Sequence, residues 1–336
     1  MGIGLSLIIV IALIGLIFLG VEGIGLDYFF GVIIPYLAIA TFLAGMICRV
    51  VKWARVPVPY RIPTVHGQQK SLPWIYSDKI GSPTSTAGVV GRMALEILFF
   101  RSLFKNTKAE LKDGPKLVYH WEKWLWLAGL VFHWSFLVVV LRHLRFFTEP
   151  APFFVSLLGS IDGFLQVGLQ AVYISGVAVL AAVTYLLIRR ILIPQVRYIS
   201  LPADYFPLFL IIGIAASGIL MRYFFRVDVT AVKELTMGLI TFSPRVPEGI
   251  GVIFYIHLVL VCTLLFYFPF SKLLHMGGVF LVPTRNLPND SRENRHVNPW
   301  NYPVKVHTYE DYENEFRKKM VMAGLPVEKP VEKEAK

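Results

Sequence analysis

Cysteine is scarce in this chain, and its scarcity excludes several kinds of site. Only Cys48 and Cys262 occur among 336 residues, and each lies within an apolar run. They form no CxxC or CxxCH motif and no zinc-ligand spacing. The chain therefore has too few thiolates to hold an iron–sulfur cluster by itself and has no attachment site for a c-type haem.

Charged residues are also few. Asp, Glu, Lys and Arg make up 16% of the chain and hydrophobic residues 55%, whereas a soluble domain holds about a quarter charged residues. This balance predicts an integral membrane protein, with the lipid bilayer as a partner. The formal net charge of +11 would otherwise suggest nucleic acid. The basic residues cluster beside apolar runs, however, as they do at the cytoplasmic ends of membrane helices, so we expect no nucleic-acid partner.

Six apolar runs are long enough to cross a bilayer, which takes about 20 helical residues. Basic residues follow alternate runs, which predicts that both termini lie in the cytoplasm. The first run lacks a charged n-region, so we interpret it as a retained helix and not as a signal peptide. The sequence thus predicts an all-α, multi-pass protein of the cytoplasmic (inner) membrane. The predicted spans are 2–21, 28–51, 121–147, 166–188, 206–225 and 250–270.

Two polar segments are predicted on the cytoplasmic side. Within residues 52–119, the part from Ser85 to Lys105 has the pattern of an amphipathic helix. It would lie in the membrane interface, dock a partner or cover the end of the helix bundle, and the sequence leaves these alternatives open. In residues 277–336, Thr308 is predicted to cap a helix over 309–323 that Gly324 ends. This short extension is too small for an enzyme domain, so we expect it to hold a partner subunit.

Four histidines lie in or beside the apolar spans, where polar side chains are costly and usually functional. His133 and His143 share the third span, about 15 Å of helix apart, while His257 lies on the sixth span and His275 just past its end. Because the two spans are predicted to be antiparallel, His133 would face His275 and His143 would face His257. Paired neutral imidazoles fill both axial positions of haem iron, so the pattern predicts two haems at different depths. The alternative is that each histidine only hydrogen-bonds a neighbouring helix.

The spacing on the sixth span fits this pairing less closely. The interval from His257 to His275 corresponds to about 27 Å of straight helix, against about 15 Å on the third span. Helix tilt and a kink at Pro269 would absorb part of the difference. The other four histidines are expected to be ordinary exposed or interfacial residues: His66, His120, His296 and His307.

The spacings H-x9-H on one span and H-x17-H on a later one resemble the cytochrome b gamma subunit of respiratory nitrate reductase. The resemblance covers residues 120–276 and implies a four-helix core of spans three to six that binds two haems b, with the same pairing of histidines. The chain is accordingly divided into two N-terminal transmembrane helices (1–51), a cytoplasmic loop (52–119), the dihaem core (120–276) and a partner-binding tail (277–336). It departs from that family in having an additional N-terminal helix and a large inner loop.

The tail from Asn298 to Lys333 resembles a narrower family, the DsrM cytochrome b subunits of the membrane complex of dissimilatory sulfite reduction. That resemblance implies exchange of electrons with menaquinol or menaquinone through the haems, in sulfate or sulfite respiration. It also implies a cytoplasmic iron–sulfur partner related to heterodisulfide reductases (DsrK), acting on the DsrC trisulfide, and further subunits of a membrane redox complex. The small number of cysteines agrees with a subunit that must hand its electrons on.

Basic residues near the histidines are candidates for binding the anionic haem propionates. Arg142 and Arg145 flank His143, and Arg222 ends the fifth span on the same side. Lys272 precedes His275 by one helical turn. The alternative is that all four are boundary charges that obey topology and snorkel to the interface.

Three polar residues at the predicted outer start of the fourth span are candidates for a quinone site: Gln166, Gln170 and Tyr173. The nitrate reductase family uses a lysine in this neighbourhood, but here that place is taken by Asp162 and Gly163. The alternative is that these are ordinary polar residues at a helix entrance. Asp162 and Glu149 are candidates to relay protons outward.

Three other functions compete with this interpretation. A quinone- or methanophenazine-linked heterodisulfide reductase cytochrome b would share the core, and only the tail favours the DsrM-like choice. A histidine-lined transporter usually has inverted repeats and broken helices near the midplane, and neither is clear in this sequence. A structural anchor whose histidines bind nothing would differ from a cytochrome in having no haem.

Overall fold

The structure, a computed structural model, describes residues 2–57, 67–114, 116–167, 170–290 and 306–330. In these ranges six helices are long and apolar enough to cross a membrane, so the prediction of an all-α, multi-pass membrane protein is confirmed. The spans are Gly2–Gly23, Phe29–Ala54, Lys123–Phe146, Ile174–Leu192, Pro202–Phe225 and Val252–Phe270. The chain divides into two compact units, residues 1–290 and 291–336.

The helices and strands are labelled in chain order. The helices are α1 (Gly2–Phe18), α2 (Ile34–Ala54), α3 (Thr86–Phe99), α4 (Arg101–Phe104), α5 (Lys123–His143), α6 (Phe153–Asp162), α7 (Ile174–Leu192), α8 (Pro194–Ile199), α9 (Pro202–Leu220), α10 (Val229–Ile240), α11 (Val252–Tyr267), α12 (His275–Gly278), α13 (Pro283–Asn286) and α14 (Tyr309–Met322). The strands are β1 (Thr107–Lys112), β2 (Lys116–Trp121), β3 (Leu165–Val167) and β4 (Gln170–Val172).

The spanning helices pack as a connected bundle in the first unit. Helix α5 packs on α7, α7 on α9 and α9 on α11, while α1 contacts α9 and α11, and α2 contacts α11. Val10, Leu210 and Leu260, from α1, α9 and α11, are buried together. These helices are apolar on every side, as expected where one face meets other helices and another meets lipid.

Three of the spans contain a π turn at one end. Leu19–Gly23 extends α1, Phe29–Ile33 precedes α2, and Met221–Phe225 extends α9. The first two flank a short link that contains Asp27. Single π turns within α-helices are frequent at functional sites, and Asp27 of this link lines a cavity.

The predicted start of the fourth span is wrong. Leu165–Val167 and Gln170–Val172 are antiparallel strands, with β3 paired to β4, and the helix begins only at Ile174. The run from Phe164 to Val172 is apolar enough for either structure, and short apolar runs do not reveal their period.

A second hairpin, β1 paired with β2, lies inside the segment predicted as loop and precedes α5. Asp113 and Gly114 form its turn, and Gly114 has φ +81°. An Asp-Gly pair between alternating residues is a known hairpin signal, so this element was accessible from the sequence. It also explains why the third span begins at Lys123, since Trp121 is the last residue of β2.

The predicted amphipathic helix is present as α3 and α4, separated by Phe100 in the left-handed conformation (φ 51°). Ser85 caps α3, its hydroxyl accepting from the backbone N–H of Gly88 at 3.2 Å. The indole N–H groups of Trp126 and Trp134 donate to the carbonyls of Phe99 (2.8 Å) and Leu98 (2.9 Å). These bonds attach the end of α3 to α5, so the contacts favour a helix that covers this part of the bundle.

The second unit contains α14, as predicted. Thr308 and Asp311 form a capping box at its start, and Gly324 follows its end with φ +72°. The carboxylate of Glu313 accepts from the backbone N–H groups of Glu328 (2.8 Å) and Lys329 (2.9 Å). These hydrogen bonds fold the segment after the helix back on it.

Candidate functional site

The four histidines meet as two pairs. The ring centroids of His133 and His275 are 5.9 Å apart, with the planes at 82°, and those of His143 and His257 are 6.4 Å apart, with the planes at 16°. An imidazole nitrogen binds zinc at about 2.0–2.1 Å, and two bonds of similar length to one iron atom would place the ring centroids about 6 Å apart. Both pairs have the separation that a shared metal atom requires.

A break after α11 brings His275 to its place. The helix ends at Tyr267, a 3-10 turn covers Phe268–Phe270, and Ser271 is extended before a second 3-10 turn leads into α12. The interval between His257 and His275 is therefore not straight helix. The expected interruption near Pro269 is present. Because of it, the interval from His257 to His275 need not be longer than the interval from His133 to His143 on α5.

Local backbone bonds fix the protonation of three of the rings. The Nδ1 atoms of His133 and His143 lie 2.7 Å from the carbonyl oxygens four residues earlier, those of Gly129 and Val139. The Nδ1 atom of His275 lies 3.0 Å from the carbonyl oxygen of Lys272. A carbonyl only accepts, so each Nδ1 carries the proton and each Nε2 keeps its lone pair for a metal.

The hydroxyl of Ser217 fixes the protonation of the fourth ring, that of His257. Its hydroxyl lies 2.7 Å from the carbonyl oxygen of Gly213, to which it donates, and 3.0 Å from Nδ1 of His257. Because its one proton goes to the carbonyl, Ser217 accepts from Nδ1–H and leaves Nε2 of His257 as the available ligand. Sequence reasoning missed Ser217, which no spacing rule connects to a histidine on another helix.

Glycine and phenylalanine residues shape the space around the rings. A Cβ atom added at Gly218 would lie 3.2 Å from Cε1 of His257, closer than normal packing allows. The rings of Phe100 and Phe132 lie 4.9 and 5.1 Å from that of His133, and Phe146 lies 5.8 Å from His143. The two pairs are thus bounded by apolar rings, which suits a large apolar macrocycle.

Three arginines surround Tyr173 at the end of the bundle that contains His143. The Cζ atoms of Arg142 and Arg222 lie 3.5 and 4.0 Å from the centroid of its ring, and Nη1 of Arg145 donates to its hydroxyl at 3.3 Å. Burial raises the pKa of Tyr173, but the hydrogen bond from Arg145 and the three positive charges outweigh it and lower that pKa. Positive charges gathered out of water require anionic partners.

Asp162 is the anion that the fold supplies to this cluster. Its carboxylate pairs with buried Arg142 and accepts from the backbone N–H of Ser175 at 2.7 Å and its hydroxyl at 2.6 Å. The Nε atoms of all three arginines are nevertheless buried and make no hydrogen bond within the part of the chain that the structure describes. The cluster therefore has donors for further anionic oxygens. These donors are the Nε–H groups of Arg142, Arg145 and Arg222.

Lys272 has a different partner from the one expected. Its Nζ donates to Oδ1 of Asp204 at 2.7 Å, and Arg190 lies 3.9 Å from the other carboxylate oxygen. The contribution of Lys272 to the histidine site is its carbonyl, which accepts from His275. Among the described residues, no group of three or more His, Cys, Asp or Glu side chains could hold a metal ion, so these histidines do not form a conventional protein-only metal site.

The predicted quinone residues do not form a common helical face. Gln166 is exposed on β3, Gln170 lies on β4, where its side chain is outside the described structure, and Tyr173 lies within the arginine cluster. Of the predicted proton carriers, Asp162 is held by Arg142, and Glu149 pairs with Lys233.

Of the four remaining histidines, His120 lies on β2, 3.4 Å from Glu110, and His307 is exposed. His66 and His296 lie outside the described residues.

Comparison with known proteins gives matches over the same region. Residues 117–290, which include all four paired histidines, match the family model for the nitrate reductase gamma subunit. The chain is 50% identical over 283 residues to the Hdr-like menaquinol oxidoreductase cytochrome b-like subunit of Archaeoglobus fulgidus, covering 81% of this chain and 83% of that protein. It is 44% identical over 274 residues to the protein of the same name from Archaeoglobus profundus, covering 80% and 81%. It is 30% identical over 161 residues to the respiratory nitrate reductase 1 gamma chain of Escherichia coli, covering 46% and 71%.

Proposed function

The chain belongs to the nitrate reductase gamma subunit family, and from this premise we propose that it oxidises menaquinol and passes the electrons to a cytoplasmic partner. The family and its similar relatives support a membrane cytochrome b with an electron-transfer role. Within that role we propose two haems b, one between His133 and His275 and one between His143 and His257. A haem b held by two histidines takes up and releases one electron at a time.

The observation that carries the proposal is the protonation of the four rings. Each Nδ1 is in a hydrogen bond, while each pair of rings is separated by about the span of two metal–nitrogen bonds. Histidines that ligate a metal generally donate their other N–H to a carbonyl or similar acceptor, which fixes the ring's orientation. Histidines that only joined helices would have no reason to share this arrangement four times.

The arginine cluster fits the propionates of the haem between His143 and His257. Arg142, Arg145 and Arg222 present buried Nε donors that have no hydrogen-bond partner among the described residues, and a propionate carboxylate would accept from them in charge-assisted hydrogen bonds. For the other haem the sequence offers Lys272, whose ammonium group is mostly exposed and already bonded to Asp204. We propose that Lys272 acts there as a weaker, shared cation.

Menaquinol is the proposed electron donor because two relatives are named for its oxidation. The same names favour menaquinol over methanophenazine. Gln166, Gln170 and Tyr173 remain predicted quinone ligands, and a different site is proposed below. We propose that the protein lies in the cytoplasmic membrane with both termini inside, because the loop of residues 52–119 is basic and basic loops remain on the cytoplasmic side.

The proposed electron acceptor is an iron–sulfur subunit of the DsrK kind, related to heterodisulfide reductases, in sulfate or sulfite respiration. This chain has only two cysteines, Cys48 and Cys262, so it cannot ligate a four-cysteine cluster. Relatives named as subunits of an Hdr-like oxidoreductase support assembly into a membrane redox complex. The tail resembling DsrM supports the sulfite-linked assignment.

A pyridine haemochrome assay on the purified chain tests the proposal. We expect two haems b per chain, and one haem per chain in each of His133→Ala, His143→Ala, His257→Ala and His275→Ala. The two variants of one histidine pair should lack the same haem component of the absorption spectrum. A folded protein without haem would refute the electron-transfer role, and different components lost within a pair would refute the pairing.

A further inference from the structure

A cavity of about 340 Å³ lies between the link joining the first two spans and the segment leading into α11. Asp27 comes from the link, Glu248 and Ile250 from the segment before α11, and Tyr255 from the first turn of α11. Asp27 and Tyr255 thus both line the same cavity, although they come from different segments of the chain. Small-molecule sites have volumes from about 300 Å³ upward, and the volume of this cavity lies in that range.

Backbone features bring these groups together. The two π turns, Leu19–Gly23 and Phe29–Ile33, lie on either side of Asp27. A Cβ atom at Gly31 would lie 3.2 Å from Cε1 of Tyr255. Glycine at this position therefore lets the Tyr255 ring pack directly against the turn before α2.

The cavity lies close to one histidine pair. Tyr255 is two residues before His257 on α11. The buried cluster that contains Tyr255 also takes in Phe146, whose ring lies 5.8 Å from His143. Tyr255, which lines the cavity, and Phe146, which contacts His143, thus belong to the same buried apolar region.

The link that contributes Asp27 to the cavity has an exposed apolar surface, which we call the rim, and this surface suits a ligand with a long apolar tail. The residues around Asp27 in the link expose large apolar side chains in a span-flanking position, and they are Ile24, Leu26, Tyr28 and Phe29. A ligand with a compact polar ring and a lipid-soluble chain would place its ring in the cavity and its chain along this rim. A cavity of this volume holds such a ring and leaves the chain in the bilayer.

We propose that the Asp27–Tyr255 cavity binds the hydroquinone ring of menaquinol and that Asp27 accepts its proton. This inference rests on the proposed function, because each hydroquinone loses two electrons to ferric haem b and two protons as it becomes the quinone. Tyr255 positions the Asp27 carboxylate beside a hydroquinone hydroxyl. The protons leave Asp27 one at a time to water at the end of the bundle, where the link lies outside the membrane spans.

Photolabelling of the full chain, purified with its haems in lipid nanodiscs, tests the position of the site. The probe is an azido-naphthoquinone, and labelled peptides are mapped by mass spectrometry. We expect label on residues 24–31 and 246–255. Label confined to 165–173 would overturn this inference in favour of the predicted Gln166 site, and no saturable label would overturn both.

Reduction kinetics test the role of Asp27. Haem reduction by menadiol is followed in a stopped-flow spectrometer for the parent chain, Asp27→Asn, Tyr255→Phe and the control Glu22→Gln, which alters an exposed acid of the neighbouring π turn. We expect Asp27→Asn to be slower by about 100-fold, the lower range for a lost proton acceptor, and Tyr255→Phe to be slower by a smaller factor. Equal rates for Asp27→Asn and Glu22→Gln would overturn the inference.

Haem content and the rate of haem reduction together distinguish failure of the proposed function from failure of the cavity assignment. If the parent chain has no haem, or has haem that menadiol does not reduce, the proposed function fails. If the parent is reduced and every variant keeps its full haem content and rate, only the cavity assignment fails.

Discussion

Gly218 affects the site through the side chain that it lacks. A Cβ atom at this position would approach Cε1 of His257 to 3.2 Å, so any larger side chain would press on the imidazole. We expect Gly218→Val to displace the ring and reduce haem content from two to one per chain. The haemochrome assay measures this loss, with Gly176→Val as control, because a Cβ at Gly176 meets nothing within 4 Å. Equal haem content in the two variants would contradict the role of Gly218.

Arg222 is expected to set the potential of the haem near His143. A positive charge favours the reduced, less positive iron, so Arg222→Gln should lower its midpoint potential. An interaction of about 1 kcal/mol corresponds to about 40 mV for a one-electron couple. Redox titration followed by optical spectra measures the shift, and Arg197→Gln, an exposed arginine on α8, is the control. Unchanged potentials in both variants would argue against propionate binding by this cluster.

The sequence predicts the histidines of this site more readily than the groups that orient them. Apolar length reveals the spans, and antiparallel neighbours then predict which histidines face each other. Ser217 and Gly218 could not be predicted this way, because they act on His257 from another helix. The sequence identified the arginines around Tyr173 as charges near a span end. Their common contact with the Tyr173 ring depends on the β3–β4 hairpin, which could not be predicted because its residues form an apolar run.

At the scale of elements, the tail helix α14 depends on one carboxylate. Backbone N–H groups of Glu328 and Lys329, followed by Arg317, lower the pKa of Glu313. A lowered folded pKa means that the stabilisation is complete above the unfolded value, about 4.3, and disappears as the pH falls through the folded value. We expect the amides of Glu328 and Lys329 to lose hydrogen-exchange protection as the pH is lowered through this range, after correction for intrinsic exchange.

The matched variant for this element is Glu313→Gln, which keeps the size of the side chain and removes its charge. In this variant the amides of Glu328 and Lys329 should exchange faster at neutral pH, as they do in the parent chain only at acid pH. Protection that is the same in both chains at neutral pH would show that the charge of Glu313 does not hold the segment after α14.

At the scale of the whole molecule, the division after residue 290 separates the haem core from the tail. All four paired histidines and the arginine cluster lie in the first unit. We therefore expect a chain ending at residue 290 to keep both haems and its reduction by menadiol, while it loses the ability to copurify with an iron–sulfur partner. Haemochrome analysis and copurification measure these properties separately. Loss of haem on truncation would contradict the independence of the core.

The interruption between Tyr267 and His275 also bears on how such a protein is made. His133, His143 and His257 lie on continuous helices that exist as soon as they cross the membrane, whereas His275 follows a break at Ser271 and a separate short turn. The ligand sets of the two proposed haems would therefore be completed at different moments of synthesis. We expect the cofactor between His143 and His257 to enter the nascent chain first, and that between His133 and His275 to close the assembly once the last ligand has emerged.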